Sequence, residues 1–182
     1  IRDFEVAEVA IQAALTGHLV FSTLHTNDAP SALTRLVDMG VKPYLAASSI
    51  QAVLAQRLVR ILCKDCKTRV TDTDPKTLRV IGISPEEAEK GTMYGPVGCA
   101  NCVKTGFRGR KAIFEMMRMN NEIRELAFER SPISTIRAAA VRAGMRTLVQ
   151  DGKIKVLKGV TTAEEVAKYA QVDSYTGGEV LA

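Results

Sequence analysis

The 182-residue sequence predicts an α/β fold that carries a cysteine-built metal-binding insertion and closes on a small helical module. Three observations carry that prediction. A short apolar run, Leu19 to Leu24, sits between two stretches of helical spacing. All four cysteines fall into two Cys-x-x-Cys pairs. Beyond Met117 the apolar residues recur almost only at helical intervals. Apolar residues make up 46% and charged residues 25%, which suits a packed globular chain and excludes general disorder. No apolar run approaches the roughly 18 residues that a spanning helix needs.

The elements run in order along the chain. Val6, Val9, Ala10, Ala13 and Ala14 recur at helical spacing, with Asp3 as N-cap and Gly17 just past the end. Leu19-Val20-Phe21-Ser22-Thr23-Leu24 then reads as a buried strand. Asn27, Asp28 and Pro30 announce a helix with Ala32, Leu33, Leu36 and Val37 inside and Gly40 past its end. After Pro43 the spacing of Ala46, Ile50, Val53, Leu54, Leu58 and Ile61 predicts one long helix running into the first cysteine pair. Lys111 to Met117 alternates and predicts a strand. Helices come next after Asn120 or Asn121, after Ser131-Pro132, over Met145 to Leu157, and behind a capping box at Thr162-Ala163-Glu164-Glu165. From Val172 the composition predicts a flexible tail over 171–182.

Cys63-Lys-Asp-Cys66 and Cys99-Ala-Asn-Cys102 are separated by 32 residues. Two residues between cysteines let both sulfurs turn toward one point, and four thiolates complete a tetrahedral shell for zinc. A closed shell leaves no open position, so such a metal is structural. The long separation predicts a small insertion with the metal at its base, and Gly98 and Gly106 suit the tight turns of the knuckles. Reduced free thiols or a redox pair are the other reading, while nothing points to the oxidising compartment that two disulfides would need.

Charge is uneven. Arg57 to Lys111 holds 12 basic and 6 acidic residues, a net of +6, against −1 for the remainder. That favours an acidic partner for the middle third or simply a solvated basic face. A zinc-ribbon module binding nucleic acid would fit zinc and charge together. Aromatics at 5%, no Trp and no stacking rings among the basic residues argue against nucleic acid as a partner.

The two histidines, His18 and His25, flank the run from Leu19 to Leu24. An extended strand would hold them roughly 20 Å apart. His25 falls at the strand's carboxyl end, where open α/β sheets bind ligands, with Thr26, Asn27 and Asp28 beside it. It reads either as a phosphate contact and sensor or as a hydrogen-bonded structural histidine.

Taken together these motifs resemble a known family. Ile1-Arg2-Asp3-Phe4-Glu5-Val6-Ala7-Glu8 and Thr16-Gly17-His18 through His25-Thr26-Asn27-Asp28 resemble the end of the Walker B region and the histidine box of hexameric secretion ATPases, the motors of type IV pilus assembly and type II secretion. The likeness continues through Leu54-Ala55-Gln56-Arg57-Leu58-Val59-Arg60, the tetracysteine motif, Gly106-Phe107-Arg108-Gly109-Arg110, Gly144-Met145-Arg146-Thr147-Leu148 with Asp151-Gly152, and Gly159 to Val166. Val6 departs from the threonine expected after Glu5.

The resemblance implies a truncated RecA-like ATPase portion over 1–62, a tetracysteine zinc subdomain over 63–110 and a helical C-terminal module over 111–170. It implies His25 and His18 as catalytic relay residues, Arg2 and Asp3 as nucleotide-side residues, and Cys63, Cys66, Cys99 and Cys102 as ligands of structural zinc. ATP and Mg would be bound by the full-length protein. A homohexamer, an inner-membrane platform protein as partner, and a cytoplasmic location peripheral to the inner membrane complete the expectation. The absence of the cysteine motif from most retraction motors favours an assembly or extrusion motor. The chain opens on Ile1 without a charged-then-apolar leader, and no G-x-x-x-x-G-K-[ST] occurs in it. It therefore reads as a piece of a longer protein with no signal peptide, not expected to bind or hydrolyse ATP well alone.

Overall fold

A computed structural model describes residues 1–174 of the chain. Its backbone forms two units, one of Ile1–Ala55 with Glu115–Met145 and one of Gln56–Phe114 with Arg146 onward. The chain passes from the first to the second within strand β1 (Ala52–Leu62) and returns within strand β4 (Phe107–Arg118), the two strands of one sheet. The fold is a mixed helix–sheet architecture, as the composition and spacing predicted.

The first unit is helical. Helix α1 (Phe4–Leu15) starts where Asp3 accepts the Val6 N–H at 2.9 Å, the cap expected from the sequence. Helix α2 (Ser31–Asp38) starts behind Asp28, which accepts the Ser31 N–H at 2.8 Å. Helix α3 (Pro43–Ser49) packs on α1 and on helix α6 (Asn121–Phe128), which Asn120 caps through the Ile123 N–H. Helix α7 (Ile133–Arg142) closes the unit over a core of Leu33, Met117, Ile123, Ile136, Ala139 and Ala140. A second cluster joins Ala7 and Ile11 of α1 to Leu36, Val41 and Ala46, with Leu24 packed against it.

Two sequence expectations fail here. Residues 19–24 form no strand, and Leu19 and Phe21 are 82% and 88% exposed. An apolar run becomes a buried strand only where a neighbouring strand completes its ladder and layers cover its faces, and no strand among the described residues pairs with this one. The long helix after Pro43 stops at Ser49, and the next element is β1. Ser48 and Ser49 turn their hydroxyls back onto the Tyr44 and Leu45 carbonyls, and Ile50 is extended. From Val53 to Ile61 every second residue is at least partly buried, and Leu54 and Leu58, expected inside, are more than half exposed. Val53, Val59 and Ile61 are β-branched and favour that pleat.

The second unit carries the cysteines. Strand β2 (Thr68–Arg69) pairs antiparallel with strand β3 (Tyr94–Gly95), Thr68 opposite Gly95. Between them run helices α4 (Pro75–Val80) and α5 (Pro85–Lys90), begun by Asp74 and by a Ser84–Glu87 capping box, each with proline in its first turn. Helices α8 (Leu148–Leu157) and α9 (Ala163–Ser174) pack together over Val149, Val156 and Val166, and α4 lies against α9. The box expected at Thr162 is half made. Its hydroxyl accepts the Glu165 N–H at 3.3 Å, while the Glu165 carboxylate goes to Arg60 and Lys168 instead. The predicted tail is helical through Ser174, and the rest of it lies outside the described residues.

Candidate functional site

The four cysteines, 36 residues apart pair to pair, converge at one point. Their sulfurs all lie within 4.8 Å of one another. Cys63 Sγ is 3.9 Å from Cys99 Sγ, Cys66 Sγ is 3.8 Å from Cys102 Sγ, and Cys99 and Cys102 are 3.8 Å apart. A tetrahedral ion with metal–sulfur bonds of about 2.3 Å spaces its sulfurs about 3.8 Å apart, so the cluster has the size of one such site. All four are free cysteines, Cys63 and Cys102 buried and the other two partly so.

The backbone prepares these sulfurs for negative charge. Gly98 N–H donates to Cys66 Sγ at 3.3 Å, and Cys99 and Gly106 N–H donate to Cys102 Sγ at 3.1 and 3.2 Å. The Cys99 amide is the main reason the Cys102 thiol is drawn down to about 6, whereas desolvation pushes Cys66 up to about 11.

Gly98 and Gly106 serve as expected. Their φ values are +108° and +74°, and an added Cβ would stand 2.6 Å from the Lys104 carbonyl oxygen and 2.3 Å from Pro96 Cβ. Val103 and Lys104, just after the second pair, hold left-handed conformations at φ 52° and 58° without being glycine. Such positions cost of order 1–3 kcal/mol each and persist where surrounding contacts over-determine them.

Three further side chains secure the cluster. Asn101 Nδ2 donates to Asp65 Oδ2 at 3.1 Å, joining one knuckle to the other. Lys67 Nζ donates to the Gly159 carbonyl at 2.8 Å and lies 4.2 Å from the centre of the Tyr94 ring. Asp65, Asn101 and Lys67 were not among the residues expected at the site, although each stands within or beside a Cys-x-x-Cys motif and that position is a signal the sequence carries. Nearby, Arg60 of β1 lies 4.0 Å over the Phe107 ring and donates to Glu165 of α9 at 2.9 Å. Burial acts to raise the Glu165 carboxyl, but bonds from the Arg60 guanidinium, Lys168 and the Arg60 backbone N–H outweigh it and hold the group at about 2.

The histidine segment belongs to the first unit. His18 Nδ1 lies 3.2 Å from the Ala13 carbonyl and 3.1 Å from Thr16 Oγ1, at the end of α1. It bonds back onto that helix and not to His25. His25 is exposed in irregular chain, with Thr26 N–H donating to the Leu24 carbonyl at 3.2 Å across it. Arg2 is exposed, and Asp3 is engaged as the α1 cap. Val20 and Phe21 line an open apolar groove with Val6, Val9 and Ala13 of α1.

The fold and the sulfur cluster define a mixed helix–sheet chain whose four cysteines could hold a metal ion, and residues 1–168 match the family described as Type II/IV secretion system protein. The chain belongs to that family. Among its relatives, the type IV pilus assembly ATPase PilB of Myxococcus xanthus is 43% identical over 175 residues, 96% of this chain and 31% of that protein. The type II secretion system protein E of Pectobacterium carotovorum is 49% identical over 170 residues, 92% of this chain and 32% of that protein. The chain thus spans about a third or less of the length of the curated relatives it matches. A crystal structure of the pilus retraction motor PilT with bound ADP shares the fold at TM-score 0.60 and 23% identity, covering 93% of this chain and 37% of that one. The ATPase DotB of Legionella pneumophila does so at 0.60 and 20%, covering 96% and 37%. No helix among the described residues is long and apolar enough to cross a membrane.

Proposed function

We propose that this chain is the C-terminal portion of the ATPase domain of a hexameric secretion motor that powers type IV pilus assembly, coupling ATP hydrolysis to pilin extrusion. The observation that carries the reading is 43–48% identity to pilus assembly ATPases along 91–96% of the chain. In that reading ATP and Mg bind the full-length protein, because these 182 residues hold no G-x-x-x-x-G-K-[ST] loop to cradle a triphosphate. His25, exposed in the histidine segment, contacts or senses the phosphate end. His18 supports the segment from the end of α1, and Arg2 with Asp3 stands on the nucleotide side. The exposed run Leu19–Phe21 and its groove along α1 are where upstream parts of the longer protein pack.

The metal is zinc, held by Cys63, Cys66, Cys99 and Cys102 in a closed shell, and it acts as a structural clasp with no open position for chemistry. Motion generated at the nucleotide passes between subunits of a homohexamer to a platform protein in the inner membrane. The motor works in the cytoplasm, peripheral to that membrane. Type II secretion is the second reading, favoured by the 44–49% identity to type II secretion proteins.

The test joins this chain to its upstream sequence and measures ATP turnover beside the chain alone. The longer protein should hydrolyse ATP and the 182-residue chain should not. Turnover by the chain alone, or none by the longer protein, would overturn the proposal. Restoring pilus formation, or instead exoprotein secretion, in a strain lacking the motor separates the two cellular readings.

A further inference from the structure

Three residues after His25 the chain enters a buried ionic cluster. Asp28 and Glu115 are 2% and 1% exposed, and the Arg137 side chain on α7 keeps 14% of its surface. Of the two terminal guanidinium nitrogens of Arg137, Nη2 donates to Asp28 Oδ2 at 2.7 Å and Nη1 lies 3.8 Å from Glu115 Oε2. The remaining carboxylate oxygens hold backbone. Asp28 Oδ1 accepts the Ser31 N–H and Glu115 Oε1 the Ala29 N–H, both at 2.8 Å. All of these residues lie in the first unit.

Starting α2 does not require this arrangement. Asp28 alone holds the Ser31 N–H at the first residue of α2, a local side-chain contact of the kind that satisfies many helix starts by itself. The other two groups come from 86 and 109 residues further along the chain. Burying a guanidinium and two carboxylates is expensive, and such groups add little to stability that a packed apolar trio would not match. Their geometry does something an apolar trio could not, since it fixes two particular amides, those of Ala29 and Ser31.

The chain upstream is fixed as well. Leu24 packs against the cluster of Ala7, Ile11, Leu36, Val41 and Ala46. The Thr26-to-Leu24 bond then closes a three-residue turn with His25 at its apex. An exposed imidazole in irregular chain keeps one position only if both flanks are held. We propose that Arg137 and Glu115 are positioning residues for His25: through Asp28 and the Ala29 amide they lock the downstream flank of the histidine turn. The proposal rests on the reading that His25 takes part in ATP turnover.

The test uses the full-length protein. Arg137→Met removes the charge, Arg137→Lys keeps it with a single-pronged donor, and Glu115→Gln keeps an acceptor for the Ala29 amide. Arg137→Met should lower kcat roughly ten- to a hundredfold, the scale of a small misplacement of an active group, with KM for ATP changed less than about twofold. Lys should recover part of the loss. In a His25→Ala background the same Arg137 substitution should change kcat less than about twofold, because both act through one imidazole. Hydrogen exchange should quicken at the Ala29 and Ser31 amides and stay unchanged in α1. If Arg137→Met lowers Tm alone, multiplies with His25→Ala, or leaves the two amides as protected as before, the proposal is overturned. Should Arg137→Met fail to fold, the kcat and exchange of Arg137→Lys and Glu115→Gln decide in the same way. A His25→Ala protein with normal turnover sinks the reading of the histidine instead, and amide exchange still reports whether the cluster holds the segment.

Discussion

The cysteine cluster and the histidine segment both stood out in the sequence, the cysteines more sharply, and the structure treats them in opposite ways. The cluster is complete within one unit: four sulfurs at the spacing of a tetrahedral site, amides aimed at them, and left-handed residues held in the loop behind. The histidine segment is held at its flanks, by Leu24 and by Asp28, while Leu19 and Phe21 are left largely exposed. A metal site is fixed by its ligands and by contacts close around them in the chain, whereas a strand needs neighbours from elsewhere. The contrast separates a part that holds shape from a part whose work, in the proposed reading, is completed by upstream sequence.

In the zinc reading proposed above, removing the metal should break the cluster side most severely. Structural zinc contributes of order 10 kcal/mol in small domains, so Cys102→Ser or chelation should abolish stoichiometric zinc and lower Tm by more than about 10 °C. Elemental analysis and thermal unfolding check this, and unchanged unfolding in chelator would contradict it. Next in size, Gly106→Val places a branched Cβ at 2.3 Å from Pro96 Cβ on a φ of +74°, and should cost about 3 kcal/mol in a denaturant titration.

Acid gives a smaller and more selective effect. Glu165 sits at about 2 in the folded chain against roughly 4.3 unfolded, so its contribution is fully present above pH 4.3 and is lost as pH falls toward 2. Glu165→Gln should therefore be less stable than the parent at pH 7, with the difference shrinking below pH 4. A constant difference between pH 7 and pH 3 in paired unfolding curves would show that the charge does not matter. The smallest effects belong to the histidine side. His18→Ala removes a bond to the Ala13 carbonyl and should cost about 1 kcal/mol, and His25→Ala should change the stability of this chain by less than about 0.5 kcal/mol. A large loss of stability in His25→Ala would make that residue structural.

Local signals in the sequence were legible wherever the physics was local. Asp3 and Asn120 cap the helices expected of them, and the convergence of the four cysteines and the turns of their two glycines could be read from spacing alone. Two elements were not legible. In β1, Leu54, Leu58 and Ile61 repeat at helical intervals while Val53, Ala55, Val59 and Ile61 alternate, and only pairing with β4 selects the second pattern. The run at 19–24 carries a strand's composition without a strand's partner. The ties of Asp28 to Arg137, of the Ala29 amide to Glu115 and of Arg60 to Glu165 join residues about 90 to 110 positions apart, and no local motif announces them.

Zinc-edge X-ray absorption on the 182-residue chain tests the central distinction most directly. Four sulfur neighbours at about 2.3 Å around one zinc per chain, with no oxygen or nitrogen in the first shell, is the predicted spectrum of a closed structural clasp. A mixed shell with a light-atom ligand, or protein that retains no zinc after purification, would contradict it.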